Sequence, residues 1–244
     1  MSVWKYIVSL LALCVALAAT SAQAAIVITG TRVIYPEKSR QVNVRLTNVD
    51  SKPVLVQAWI DDGDTSIPVN DIRVPFVLTP AVFRVESKKG QTLRIKFTGQ
   101  EMPADRESVY WLNVLEISPK PEGAEDQNML QLAFATRIKL FYRPLSLRDD
   151  PTSARGKLRW TVRNAEGKHV LRVENPSGYY LSLDSVSVKA GDRETTYQPQ
   201  MVPPFGHVDL SIQSDGAAAS AGSDISYTVL NDFGAAVRDV ARTE

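Results

Sequence analysis

Short runs in which apolar and polar residues alternate, broken by clusters of turn formers, constrain this chain more than any other feature. Val42-Asn43-Val44-Arg45-Leu46-Thr47 alternates in this way, as do Leu93-Arg94-Ile95-Lys96-Phe97, Leu181-Ser182-Leu183 and Val208-Asp209-Leu210-Ser211-Ile212. The longest such run is Leu130 to Leu140. A period of two puts one set of side chains on each face of a strand. Asp62-Gly63-Asp64, Lys89-Gly90, Glu166-Gly167 and Ala190-Gly191-Asp192 supply turns between the runs. No window carries a 3.6-residue apolar stripe of helical length. The pattern predicts an all-β chain built from sandwiches.

A chain of 244 residues suits one large domain or two ordinary ones. Each half holds about seven strand-like segments. The halves meet near Tyr142-Arg143-Pro144, where the proline ends strand pairing, and the polar stretch Asp149-Asp150-Pro151-Thr152 follows. Two domains are therefore expected, 25–143 and 147–244. Asp215 to Ser223, rich in Ala, Ser and Gly, reads as a flexible spacer loop. Trp59, Trp111 and Trp160 fall inside strands and read as core residues.

The first 24 residues read as an export signal. Lys5 precedes an apolar run from Ile7 to Ala19, and Ala22-Gln23-Ala24 supplies the small residues of a cleavage site. The run is shorter than the roughly 20 residues of a membrane span. Cleavage is expected after Ala24, and Leu13 before Cys14 is too bulky for the usual lipid-attachment pattern. The mature chain would keep no cysteine, so neither a disulfide nor a thiol nucleophile is available to it.

Composition narrows the chemistry. With 28 Lys+Arg against 27 Asp+Glu, there is no broad basic field for nucleic acid. His169 and His207, the two histidines of the chain, lack partners at metal-ligand or triad spacing and read as surface residues. No nucleophile elbow, phosphate loop or zinc-protease motif occurs. The carboxylate pairs Asp61-Asp62 and Asp149-Asp150 stand in turn contexts, where capping and solvation account for them. No enzyme, cofactor or metal is expected.

The run Leu130-Gln131-Leu132-Ala133-Phe134-Ala135 is open to two readings. It fits an ordinary half-buried strand. It also fits an edge strand kept apolar for another chain, because an edge offers unpaired backbone groups beside its row of side chains.

The segment that follows, Thr136-Arg137-Ile138-Lys139-Leu140-Phe141-Tyr142-Arg143-Pro144, resembles the end of the first domain in periplasmic pilus chaperones of the PapD type. Further matches run in order along nearly the whole mature chain. They are Thr31-Arg32-Val33, Gln57-Ala58-Trp59-Ile60, Phe83-Arg84-Val85 and Asp105-Arg106-Glu107-Ser108-Val109-Tyr110-Trp111-Leu112-Asn113. Beyond the boundary come Asn175-Pro176 with Tyr179-Tyr180, Val202-Pro203-Pro204 and Asn231-Asp232-Phe233-Gly234-Ala235.

The resemblance implies two immunoglobulin-like domains in an L shape. It also implies a chaperone that lends its G1 edge strand to incomplete pilus subunits and passes them to an outer-membrane usher. Leu130, Leu132 and Phe134 match the donor residues that fill the subunit's groove. Burying three such side chains is worth roughly 1.5–3 kcal/mol each before ordering costs. Arg32 and Lys139 look like two surface cations when taken alone; by resemblance they anchor the subunit's C-terminal carboxylate. Strict alternation sets Lys139 on the face opposite Leu130, Leu132 and Phe134, so a bulge or strong twist is expected between them. Arg84, Glu107 and Asp232 match an interdomain ion network with a structural role.

The short connection from about Ser118 to Asn128 resembles the family branch with short F1–G1 loops, which builds rod-forming pili. Phe134 stands where a smaller aliphatic residue is common, which bears on which subunits fit. The implied partners are pilus subunits and the usher, and a self-capping homodimer is open to a free protein with an exposed apolar edge. The alternative is an exported fibre subunit or adhesin.

Overall fold

The computed structural model describes residues 25–119, 133–147, 150–165, 168–190, 193–212 and 219–244. Nearly all the regular structure in them is strand, and the strands form two sandwiches. The first contains β1 (Ile26–Ile28), β2 (Arg32–Pro36), β3 (Val42–Asn48), β4 (Val54–Asp61) and β5 (Phe76–Thr79). It is completed by β6 (Val82–Val85), β7 (Gly90–Phe97), β8 (Ser108–Ile117) and β9 (Ala133–Arg143). One of its sheets runs β1-β3-β7-β5 and the other β2-β9-β8-β4-β6.

Alternation becomes packing in a direct way. Val44, Leu46, Leu93 and Ile95 point inward from one sheet, and Val56, Ala58, Leu112, Val114, Ile138 and Leu140 face them from the other. Asn43, Arg45, Arg94 and Lys96, the intervening polar residues, remain exposed. At one end Tyr35 stacks on Tyr142 at 6.2 Å and meets Phe76 edge-on at 5.5 Å. Its hydroxyl donates to Ser39 O and accepts from Phe97 N, so this buried polar tip is satisfied.

The second sandwich follows a short helix, α1 (Pro151–Arg155), whose N-cap Asp150 accepts from the backbone N–H groups of Thr152 and Ser153. Its strands are β10 (Arg159–Ala165), β11 (Lys168–Asn175), β12 (Leu181–Ala190) and β13 (Arg193–Tyr197). They continue with β14 (Met201–Val202), β15 (Gly206–Leu210), β16 (Asp224–Leu230) and β17 (Ala236–Arg242). One sheet runs β10-β11-β15 and the other β13-β12-β16-β17, with β14 paired to β12. Trp160 and Tyr227 meet at 5.0 Å in the core between the sheets.

Three details differ from the sequence expectation. Trp160 is buried, but Trp59 and Trp111 stand half-buried on the outer face of their sheet. Asp61 is no solvated turn residue: it is buried at the end of β4 and accepts from Arg137 and Asn113. Finally, at the end of the stretch expected as a spacer, Ala219 and Ser223 are anchored, whereas residues 215–218 lie outside the described residues. Ala219 N donates to the Tyr197 hydroxyl and Ser223 N to the Thr243 hydroxyl, and both residues are buried.

Candidate functional site

Ahead of the first residue of β2, the edge of β9 is open. β2 and β9 pair in parallel from Arg32↔Lys139 to Pro36↔Arg143. On its other side β9 pairs antiparallel with β8 along its length, from Ser108↔Tyr142 to Ile117↔Ala133. Residues Ala133 to Ile138 thus have a partner strand on one side, and the opposite side is uncovered among the described residues. The cause lies in the first strand of the fold. Thr29 N donates to Arg45 O of the other sheet, Gly30 takes φ +96°, and Ile26–Ile28 pair with β3 instead of continuing beside β9.

The β8–β9 register is unbroken over the whole of this span. The expected bulge is therefore absent, and the two faces of β9 do different work. Ile138, Leu140 and Tyr142 enter the core of their own sandwich, and Phe134 lies further along the same face, 40% exposed. Arg137, Lys139, Phe141 and Arg143 occupy the opposite face, toward the second sandwich. Leu130 and Leu132 lie outside the described residues.

Each cation on that opposite face has its own environment. Arg137 donates to Asp61 at 2.5 Å and lies over the Trp111 ring at 4.5 Å. Arg143 donates to Glu107 at 2.7 Å and, through two nitrogens, to Asp232 at 2.7 and 2.8 Å. Burial lowers the Arg143 pKa, but the hydrogen bonds to Asp232 and the charge of Glu107 outweigh it and hold the guanidinium above its usual range. Glu107, 2% exposed, is pushed above the ordinary carboxylate value by burial, against the opposing pull of Arg143.

Lys139 and Arg32 are different. Lys139 donates to the Ser182 hydroxyl at 3.3 Å and lies 5.6 Å from the Trp111 ring centre. Arg32 donates to Leu230 O at 3.0 Å and stands over Phe141 at 5.9 Å, while its Nε is buried without a partner. Among the described residues neither cation has a carboxylate within ion-pair distance. Desolvation lowers the pKa of both; on Arg32 the charges of Asp232 and Glu107 oppose it, and on Lys139 the charge of Arg32 adds to it. Two half-buried cations, adjacent in register and without an ion-pair partner among the described residues, can together hold an anion. Arg32 lines a cleft of about 170 Å³ with Glu107, Phe141 and Arg143 on one wall and Tyr179, Tyr180 and Leu230 to Phe233 on the other.

Comparison with known proteins agrees with this architecture. Residues 25–148 match the family described as pili and flagellar-assembly chaperone, PapD N-terminal domain, and residues 153–241 match the PapD C-terminal domain. The chain belongs to the PapD family of pilus-assembly chaperones. It is 44% identical over 227 residues to the probable fimbrial chaperone YadV of Escherichia coli, covering 91% of this chain and 92% of that one. The Pseudomonas aeruginosa CupB2 chaperone superposes with a TM-score of 0.76 at 36% identity, covering 89% of this chain and 100% of that one. The SafB chaperone, solved with the SafA pilin of Salmonella enterica, is among the similar structures at a TM-score of 0.73 and 30% identity, covering 91% and 98%. Membership in a chaperone family sets aside the alternative of a fibre subunit or adhesin.

Within this PapD-type frame the ion network needs a correction. Glu107 and Asp232 do share one cation, but it is Arg143 and not Arg84. Arg84 stands on β6 and pairs with Glu86, both side chains being more than half exposed. Arg143 takes the central place because it ends β9 on the face toward the second sandwich. In the sequence Arg143 stands beside Pro144, at the expected domain boundary. Counting in twos from Lys139 along the alternating strand reaches Arg143 and was the available signal.

The second-domain motifs converge on the same cleft. Buried Asn175 donates to Tyr179 O and Pro203 O and accepts from Ser177, tying the 176–180 loop to the 202–203 turn. The loop then delivers Tyr180 N to Glu107 at 2.9 Å and the Tyr180 ring to Phe141 at 5.9 Å. His207 is exposed. Among the described residues no group of three or more His, Cys, Asp or Glu side chains is placed to hold a metal ion.

Proposed function

We propose that this protein is a periplasmic chaperone that holds pilus subunits by donating the edge of β9 and delivers them to an outer-membrane usher. The export signal is removed by cleavage after Ala24. The subunit's C-terminal carboxylate docks on Arg32 and Lys139. That contact fixes the register in which Leu130, Leu132 and Phe134 enter the subunit's open groove. The observation that carries the reading is the coincidence of two features at one residue. The cation pair, with no ion-pair partner among the described residues, lies where β2 begins, at the border of the uncovered stretch Ala133–Ile138. A chain end captured there is aimed along the bare edge.

The mechanism is binding alone. Charge-assisted hydrogen bonds in a partly dry cleft hold the carboxylate, and the added strand satisfies backbone groups on both partners. The test is co-expression with a pilus subunit. Lys139→Ala and Arg32→Ala should fold normally, since neither cation completes an internal ion pair, and co-purified subunit should fall at least about tenfold. Capture at the level of the unsubstituted protein by both variants would overturn the carboxylate anchor.

A further inference from the structure

The carboxylate of Glu116 is buried, 4% exposed, at the core-facing side of β8. Its two oxygens accept from the backbone nitrogens of Ala25, at 3.0 Å, and Ile26, at 2.7 Å. Ala25 is itself 6% exposed, and its carbonyl accepts from Val49 N. Among the described residues no Lys or Arg pairs with Glu116. A buried carboxylate that meets only two amide N–H groups is costly.

Cleavage after Ala24 changes the chemistry of one of those nitrogens. The amide of Ala25 becomes a free α-ammonium, already within 3.0 Å of Oε1. The missing counter-charge is supplied by processing itself. The consequence reaches the strand edge, because Ile26–Ile28 is the segment that leaves β9 uncovered. Continued at the offset of the β2–β9 pairing, those residues would fall opposite Ala133–Ala135. Glu116 is the Cα partner of Phe134 on that edge, yet its side chain reaches inward to hold Ala25 and Ile26 where they enter β1, on the other sheet.

We propose that Glu116 is the binding site for the new N-terminus, and that the ion pair formed on processing locks β1 onto the far sheet, away from the β9 edge. The inference rests on cleavage after Ala24. It concerns a site distinct from the cation pair.

A double-mutant cycle on exported, purified protein tests it. One change is Glu116→Gln; the other is a single Gly inserted between Ala24 and Ala25, which moves the ammonium out of reach but leaves an amide in its place. Intact mass first establishes the N-terminal residue of each protein. In the native-length chain, Glu116→Gln should raise the unfolding constant on the order of a hundredfold. In the extended chain, where the ion pair is already lost, the same substitution should cost about tenfold or less. Amide exchange at Ile26–Ile28 should quicken in each single variant. Effects that multiply independently to within about twofold, or a mature chain that starts elsewhere than Ala25, would overturn the proposal. Neither readout involves a pilus subunit, so failure here and failure of the proposed function are separable.

Discussion

Arg143 is the residue whose loss the structure makes most expensive. Leucine in its place keeps much of the hydrophobic bulk and removes the positive charge. Glu107, 2% exposed, then keeps the Tyr180 N–H at 2.9 Å, and Asp232, 34% exposed, loses both of its bonds to Arg143. Breaking a buried ion pair costs about 3–5 kcal/mol. Solvent around Asp232 places the sum toward the low end of that range. For a chain of this size the melting temperature should fall by on the order of 10 °C.

The pH dependence is more diagnostic than the size of the loss. Burial already pushes the Glu107 pKa above 4.5, and Arg143 is the leading influence opposing it. Removing Arg143 moves the folded-state value further up. A group whose folded pKa is raised stabilises fully below its unfolded pKa, and that contribution is lost as pH rises through the folded one. The deficit of Arg143→Leu should therefore be smallest near pH 4.5 and grow toward neutrality, measured by urea unfolding across that window. Adding Glu107→Gln should recover roughly half of the loss, since the neutral amide oxygen still accepts from Tyr180 N. A deficit under about 1 kcal/mol, or one that does not change with pH, would refute the view that Arg143 neutralises a buried carboxylate.

Phe134→Asp should leave the melting temperature within a few degrees, because the ring is 40% exposed at the end of β9. Subunit capture should weaken by about ten- to a hundredfold, the value of burying one large apolar side chain, and undiminished pull-down yields would remove Phe134 from the donor row. Asn175→Ala strips the 176–180 loop of its tie to the 202–203 turn. It should destabilise the protein by about 2–4 kcal/mol in thermal unfolding, and an unchanged transition would show that the loop holds without it.

What the sequence made legible follows period and order. Strands such as β3 and β7 could be read directly, since Val44, Leu46, Leu93 and Ile95 alternate with charged residues and one face meets water. Arg32 and Lys139 were legible through motif order, although residues 107 positions apart in sequence become neighbours only through the parallel β2–β9 pairing. A charge inside a family-like motif carries no sign of its direction, and only the β4–β6 pairing shows that Arg84 stands beside Leu55, away from the cleft. Asp61 looks like a turn residue in sequence because Asp61-Asp62-Gly63-Asp64 consists entirely of turn formers. Its burial depends on Arg137 and Asn113 arriving from two other strands. Glu116 gave no signal, since its partners are backbone atoms about 90 residues earlier.

The face conflict that alternation raised for β9 resolves without a bulge, and the resolution explains why Lys139 has no acid of its own. One face fixes the register through Ile138, Leu140 and Tyr142 in the core; a one-residue slip would drive Arg137, Lys139 and Arg143 into that core. The other face fixes it again, with Arg137 bonded to Asp61 at one end and Arg143 to Glu107 and Asp232 at the other. Those two pairs take up the nearby carboxylates on either side of Lys139. With β9 pinned from both faces, Lys139 can neither slide toward an internal partner nor swing far from Arg32, its Cα partner in the parallel ladder. The desolvation that lowers its pKa is thus left uncompensated inside the chain, and a carboxylate brought from outside can relieve it.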